Sequence, residues 1–471
     1  MAHGIAAEQR NGLGGAVRLS GQLRALLFRN GSGANGEGVP RLVQGTFWAL
    51  AINSAGLLLG LVTQKLLANT LGPKGFGLYL YVLGWSNVAG LLCALEFSNA
   101  AVRYISAYTA TQDWGSLRGF LRRSHQIVGG MTSSVSLLAV IALVATRRLD
   151  HETEFCFLAA CALFPLSSLV QLQSSCLLGW QRVRQSQAPF QVIRPALFAI
   201  GLITLSRLMG SSFDAADAVA VQFFATGIAL CITAWYLRAA TPPAALKATP
   251  IYHTMEWVRT SAHFVAISIS QLVLSTQADL LFVGTLLGKV EVGLYGAASQ
   301  IAMLVGFGSS AVMLIAQPMI ADHYARGQIP ALIKLARQIT MLALVASLPV
   351  FVGVVLFGRP LLVAIYGPDF APALPVLIVL AISQLIAAVM GMLLGYLFTM
   401  TSHQQIATKI IGASAVLNVI LALILTYWLG MIGTATATAI STLARSVALF
   451  VAARRMLKEA TPAGVPESPA T

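Results

Sequence analysis

The sequence predicts an all-α integral membrane protein of about twelve transmembrane helices. Three observations predict it. Of 471 residues, 57% are hydrophobic and only 10% are charged. Mean hydropathy is +0.78. Apolar runs near the ~20 residues that cross a bilayer recur from residue 44 to residue 454. Soluble chains carry about 25% charged residues, so a surface this poor in charge suits hydrocarbon rather than water.

Residues 1–41 are Gly-rich and basic, with Arg10, Arg18, Arg24 and Arg29. They read as a disordered cytoplasmic tail able to touch anionic lipid. No apolar stretch followed by small residues marks a cleavable signal. The spans then fall at 44–69, 76–97, 125–146, 154–178, 189–209, 216–238, 261–287, 292–318, 338–357, 372–399, 405–428 and 432–454. Between the sixth and seventh, residues 239–258 hold Pro242, Pro243 and Pro250 and read as a linker. This divides the chain into an N-terminal bundle (42–238), a C-terminal bundle (259–457) and a tail (458–471).

Charge sets the orientation. Of 30 Lys and Arg, the loops on one side carry only Lys74, Arg147, Arg148, Arg207, Lys289 and Arg359. Lys65, Arg194 and Arg445 lie within spans, and all others fall on the opposite side or in the tails. By the positive-inside rule both termini are cytoplasmic. The net charge of +14 is thus a topology signal, and nucleic acid drops out as a partner. The five cysteines sit in or beside apolar runs without a CxxC pair, as buried packing residues do.

The halves repeat. Leu71-Gly72, four residues, then Gly77-Leu78-Tyr79 returns as Leu287-Gly288, four residues, then Gly293-Leu294-Tyr295. At the same offset Tyr108 meets Tyr324, Gln112 meets Gln328 and Arg118 meets Lys334. Six helices per copy is an even number. The expectation is therefore two parallel six-helix bundles related by an axis along the membrane normal. Gly72 and Gly288 suit left-handed helix ends, Gly77 and Gly293 suit close packing, and Tyr79 and Tyr295 suit interfacial rings.

At these residues the chain resembles a known family. The run LLANTLGPKGFGLYLYVLGWSNVAGLLCALEFSNAAVRYISAY resembles the opening of Wzx-type oligosaccharide flippases, within the multidrug/oligosaccharidyl-lipid/polysaccharide (MOP) exporter superfamily. ADLLFVGTLLGKVEVGLYGAASQI is similar to its seventh-to-eighth helix passage. The likeness covers nearly all of 42–455, with Glu96-Phe97-Ser98 standing where the family more often has Asp-Leu-Gly. It implies a MATE-like fold in the bacterial inner membrane. It also implies translocation of an undecaprenyl-diphosphate-linked oligosaccharide to the periplasmic leaflet for polysaccharide (exopolysaccharide or O-antigen) synthesis. Membrane lipid, a polysaccharide polymerase and a chain-length regulator are the further partners implied.

Such a substrate asks for cations toward the diphosphate, and Arg suits this by its bidentate fork. Arg445 lies roughly 13 Å inside the cytoplasmic edge at 1.5 Å per residue. Burying it costs at least ~2.5–3.5 kcal/mol without compensation; the alternative is snorkelling. Arg194 lies only about a turn into its helix, where snorkelling to the interface is the readier reading; Arg103 is placed near the mouth, and Lys65 near the outer end of the first span is read as an anchor or a cavity cation. Ser268, Gln271, Ser275 and Asp279 share one helical face, as do Asn53, Gly56, Gly60 and Gln64. Two polar stripes facing across a cavity, or hydrogen bonds that only pack the bundle, both fit. Asp279 is a candidate for binding a coupling cation or for pairing with Arg445 or Lys65; weaker cues are Gln171, Gln173, Gln384 and Asn418.

No phosphate-cradling GxxxxGK[ST] loop is present, and no Cys/His cluster has metal spacing, so neither a cofactor nor a metal is expected. Short outside loops argue against a membrane polymerase, the remote enzymatic alternative. A cation-coupled multidrug exporter or a lipid II flippase of the same superfamily are nearer alternatives. Three intramembrane bases against Asp279 favour an anionic substrate over a cationic drug.

Overall fold

Backbone groups in lipid must be satisfied within their own segment, which leaves helix as the economical choice for these apolar runs. The computed structural model is accordingly 93% helical, without strands among the described residues. These are 38–94, 96–146, 150–326, 328–400 and 404–460. Most of the two expected tails, and Arg147 and Arg148, lie outside them. Residues up to Ala51 form a unit of their own, and the body described below runs from Ile52.

The elements are α1 Gly38–Ala94, α2 Phe97–Ala110, α3 Trp114–Thr146, α4 His151–Gly179, α5 Val183–Met209, α6 Ala215–Ala240 and α7 Pro243–Lys247. They continue with α8 Thr254–Val273, α9 Thr276–Leu286, α10 Lys289–Ala325, α11 Ile329–Tyr366, α12 Pro368–Phe398, α13 Gln404–Leu429 and α14 Met431–Ala460.

Ten helices among the described residues are long and apolar enough to span. Two features bring them to the expected twelve crossings. The long α1 holds two arms that meet at Gly72, and α8 with α9 is one crossing broken at Leu274–Ser275.

The turn glycines differ from expectation in conformation. Gly72 has φ 63° and ψ −178°, and Gly288 has φ 141° and ψ −175°. Neither is a left-handed helix end. Both combine positive φ with extended ψ, a region open essentially to glycine alone. The reason is that the next helix starts at once, and Pro73, after Gly72, also bars helical geometry before it.

The two copies of the motif lie against each other. A Cβ on Gly77 would overlap the Lys289 carbonyl oxygen, and one on Gly293 would overlap that of Pro73. Further along, Gly84 faces Leu281, Gly284 faces Tyr81 and Gly296 faces Leu80. Small residues thus let the second arm of α1 approach α9 and α10 closely, the usual basis of helix association in lipid. Lys289 adds a charge contact, its Nζ donating to Asp150 Oδ2 at 2.7 Å and also to Thr153. That hydrogen bond holds the Asp150 carboxyl below the usual carboxylate range.

The hydrophobic cores record the consequence. At the tight-turn end one core joins both halves, with Phe76, Leu78 and Phe198 beside Tyr295, Ile301 and Phe370. Toward the opposite, basic end the halves keep separate cores. One is built on Phe97, Ile105, Phe120 and Trp257, the other on Ile320, Leu335, Phe398 and Leu449. The halves meet at one end and part at the other.

The linker is held to the first half. Ile251 N donates to Gly115 O at 3.0 Å, Arg118 Nη1 to Ala248 O at 2.5 Å and Arg123 Nε to Thr254 Oγ1 at 3.1 Å. Arg118 and Arg123, read from sequence as topology charges alone, therefore also fasten the connection.

Gly77→Val should lower the apparent melting temperature in detergent, because overpacking at such a crossing costs about 1–3 kcal/mol. A melting temperature equal to wild type would contradict the crossing.

Candidate functional site

Where the halves part, a cavity of about 790 Å3 opens between them. The first half contributes Ser86, Asn87, Glu96, Ser98, Asn99, Ser167, Ser168, Gln171, Ser175, Arg194 and Gln222; the second contributes Ser268, Gln271 and Ser275. The cavity runs from mid-span toward the basic end, where Glu96 and Asn99 stand at the α1–α2 junction.

Local breaks in helix geometry place these side chains. Ser275 has extended backbone (φ −98°, ψ 159°), and its Oγ accepts from Gln277 N at 3.3 Å while donating to Leu272 O at 2.6 Å. A serine that satisfies both broken ends makes the interruption tolerable at membrane depth. Gln277 Oε1 then accepts from Asn87 Nδ2 across the two halves at 3.2 Å. Glu96 adopts φ 54°, turning α1 into α2, and its Oε2 accepts from Asn99 Nδ2 at 2.7 Å. In α5 a π turn over Pro189–Ile193 leads directly into Arg194. Such turns recur at functional sites because they re-aim the following side chains.

Arg194 is the cation of this cavity. Its guanidinium lies 4.0 Å from the centroid of Phe190, a cation–π contact. No carboxylate among the described residues pairs with it. Glu96, the acid in the lining, is already engaged with Asn99.

Of the residues proposed from sequence, the structure brings Arg194, Gln271 and Ser275 together here, with Ser268 and the weaker cue Gln171. It separates the others. Arg445 lies outside the lining, within the second half, where its Nη2 is 4.0 Å from the position a Gly391 Cβ would take. That glycine ends a second π turn, Ala387–Gly391. Arg103 is exposed on α2, one turn beyond Asn99. Lys65 is exposed and donates to the Ala364 carbonyl at 3.2 Å. Asn53 and Gln64 are half-buried off the cavity, and Gly56 packs on Gln191 of α5. The facing stripe expected from the first span is therefore absent from the lining, because the second arm of α1, not the first, opposes α8 and α9.

Asp279 does not make the ion pair expected of it. The break at Ser275 takes it off the face of Ser268 and Gln271. It is 2% exposed and pairs with neither Arg445 nor Lys65. Instead Tyr295 Oη donates to Oδ2 at 2.8 Å, and Thr438 Oγ1 lies 3.0 Å from both oxygens. The carboxylate thus ties α9, α10 and α14 together. The tyrosines expected at the interface are buried for related reasons. Tyr295 is 0% exposed at Asp279, and Tyr79, 4% exposed, donates to Gln222 Oε1 at 3.0 Å and stacks on Phe198.

Sequence reasoning missed Asn87, Glu96, Asn99 and Gln222. Ser167, Gln171 and Ser175 carried a signal, stepping by one helical turn along α4. Glu96 carried another, standing where the resembled family more often has aspartate.

A multi-pass bundle whose related halves meet at one end and enclose a polar cavity toward the other has the architecture of a membrane transporter. Comparison with known proteins gives the family. The model described as polysaccharide biosynthesis protein matches residues 42–324, and the chain belongs to that family. A MatE model matches 265–424. The chain is 25% identical over 163 residues to the probable low-salt glycan biosynthesis flippase Agl15 of Haloferax volcanii. That match covers 35% of this chain and 34% of the relative, so it spans about a third of the relative's length.

Among solved structures, an inward-facing multidrug resistance MATE family transporter of the MOP superfamily superposes with TM-score 0.71 at 14% identity, covering 89% of this chain and all of that one. A MOP superfamily transporter from Pyrococcus furiosus, described as having reversed binding-pocket polarity, gives 0.60 at 12% identity over 89% and 96%. The fold is shared with these transporters, and family and fold together are those of a transporter rather than an enzyme.

Tyr295→Phe should destabilise the protein by about 1–3 kcal/mol, since a buried carboxylate loses a donor. Asn99→Ala, at the exposed mouth, should stay within about 0.5 kcal/mol. Equal thermal shifts for the two would contradict the buried role of Asp279.

Proposed function

We propose that this protein moves an oligosaccharide linked to a polyprenyl diphosphate across the bacterial inner membrane, from the cytoplasmic to the periplasmic leaflet. In this reading 42–238 and 259–457 rock against each other about the linker. Both termini are cytoplasmic, and the tight-turn end, closed in the present structure, is periplasmic.

The observation that carries the reading is Arg194. A guanidinium half-buried at membrane depth, with no carboxylate partner among the described residues, is costly unless an anion meets it. A diphosphate is such an anion and matches the guanidinium fork. Around it Asn87, Gln171, Gln222, Gln271 and several serines offer donors and acceptors for sugar hydroxyls. Membership of the polysaccharide biosynthesis family and the likeness to a glycan flippase support the substrate class. A cationic drug is disfavoured near Arg194, a cation that no carboxylate among the described residues neutralises.

Binding of undecaprenyl-diphosphate-linked oligosaccharide to the full chain in nanodiscs tests this. Arg194→Ala should weaken it about tenfold or more, as loss of a charged hydrogen bond of ~1.5–3 kcal/mol requires. Arg194→Lys should restore part of the loss, because charge returns without the fork. Undiminished binding by Arg194→Ala would remove Arg194 from the site.

A further inference from the structure

A second hollow adjoins the cavity. It measures about 390 Å3 and lies between the second arm of α1, α3 and α4. Trp85, Ala89, Ser136, Ala139, Cys161 and Phe164 are among the residues of its wall. Its two serine hydroxyls are spent internally. Ser136 Oγ donates to Cys161 O at 2.5 Å, and Ser86 Oγ to Val82 O at 3.1 Å. What remains is an apolar surface, within the ~300–1,000 Å3 range of small-molecule sites.

Two features relate this groove to the cavity. Ser86 and Phe164 line both, so one shared wall divides an apolar space from a polar one. On the cavity side of that wall stands Gly90, whose missing Cβ would lie 3.5 Å from the Phe164 ring and 3.6 Å from Ser168 Oγ. On its other flank the groove meets the outer face of α3, where Val135, Leu138 and Ile141 are exposed. The groove lies mid-span, two to three turns along α1 from Gly77.

We infer that this groove holds the hydrocarbon chain of the same lipid whose diphosphate meets Arg194. The inference rests on the reading under Proposed function and adds where the tail goes. An amphiphile with its head in the cavity must pass its chain to the bilayer at mid-depth. The α1–α3–α4 groove offers an apolar route there, and Phe164 is the side chain that must turn aside. The small side chains of Ala89 and Ala139 leave the width a single chain needs.

The test compares two ligands sharing a diphosphate, geranyl and undecaprenyl diphosphate, on the full chain in nanodiscs. Wild type should bind the long chain at least about tenfold more tightly than the short. Ala139→Trp and Ala89→Trp should each erase that difference and leave geranyl diphosphate affinity unchanged, which also reports an intact cavity. Cys161 gives an independent readout in a Cys231→Ser background. Its labelling by a membrane-soluble maleimide should slow several-fold with undecaprenyl diphosphate and not with geranyl diphosphate.

Equal binding of both ligands, dependent on Arg194, would overturn the groove assignment and leave the headgroup site standing. A long-chain preference that survives both Trp variants would overturn it too. So would a Cys161 already blocked in nanodiscs holding only phospholipid, for bulk lipid would then fill the groove. Failure of both ligands to bind in an Arg194-dependent way would instead bring down the headgroup site, and the groove with it.

Discussion

The structure depends on one close approach, that of Gly77 against the chain at Lys289 and Gly293 against the chain at Pro73. Dispersion falls off steeply with distance, so helices in lipid hold together where their backbones can come near. The repeat puts glycine at the same place in both halves, and each glycine admits the other half's backbone. Larger side chains pack around the crossing, with Phe76 in ring contact with Tyr366 and Phe370 at 6.1 and 6.0 Å. Closing this end obliges the remaining helix lengths to diverge, and the polar cavity is the space they leave.

Inside that space, function and fold make opposite demands on the backbone. An unbroken helix is the cheapest structure in lipid, yet it aims side chains only along fixed faces. Here regularity is given up at the three places that shape the lining. These are Glu96 in left-handed geometry, Ser275 with its own capping bonds, and the π turn before Arg194. Asp279 shows the opposite use of a polar residue. Its carboxylate accepts from Tyr295 and Thr438 and ties helices of one half together rather than lining the cavity. The same residue types therefore pack one half or line the cavity according to which side of a helix break they occupy.

Much of the fold was legible in the sequence, because hydropathy and the Gly-Leu-Tyr repeat report directly on spans and symmetry. Less of the site was. The stripe Ser268 to Asp279 has a clean helical period, and only a break that periodicity cannot register separates its last member. Arg445 looked better than Arg194 because depth along a helix can be counted from sequence, whereas the direction a side chain faces cannot. Asn87 and Gln222 gave little warning, since each is a single polar residue in an apolar run. The tyrosines of the repeat were misplaced because an aromatic hydroxyl suits a membrane interface and a buried acceptor equally well.

If the two bundles rock as proposed, opening the closed end requires the glycine crossing and its Lys289–Asp150 contact to come apart. A flipping assay in proteoliposomes, with fluorescent undecaprenyl-diphosphate oligosaccharide and an Asp150→Cys/Lys289→Cys protein bridged by a short bifunctional thiol reagent, tests this directly. The bridged protein should bind its substrate and fail to move it, and cleaving the bridge should restore movement. Undiminished flipping by the bridged protein would contradict the account.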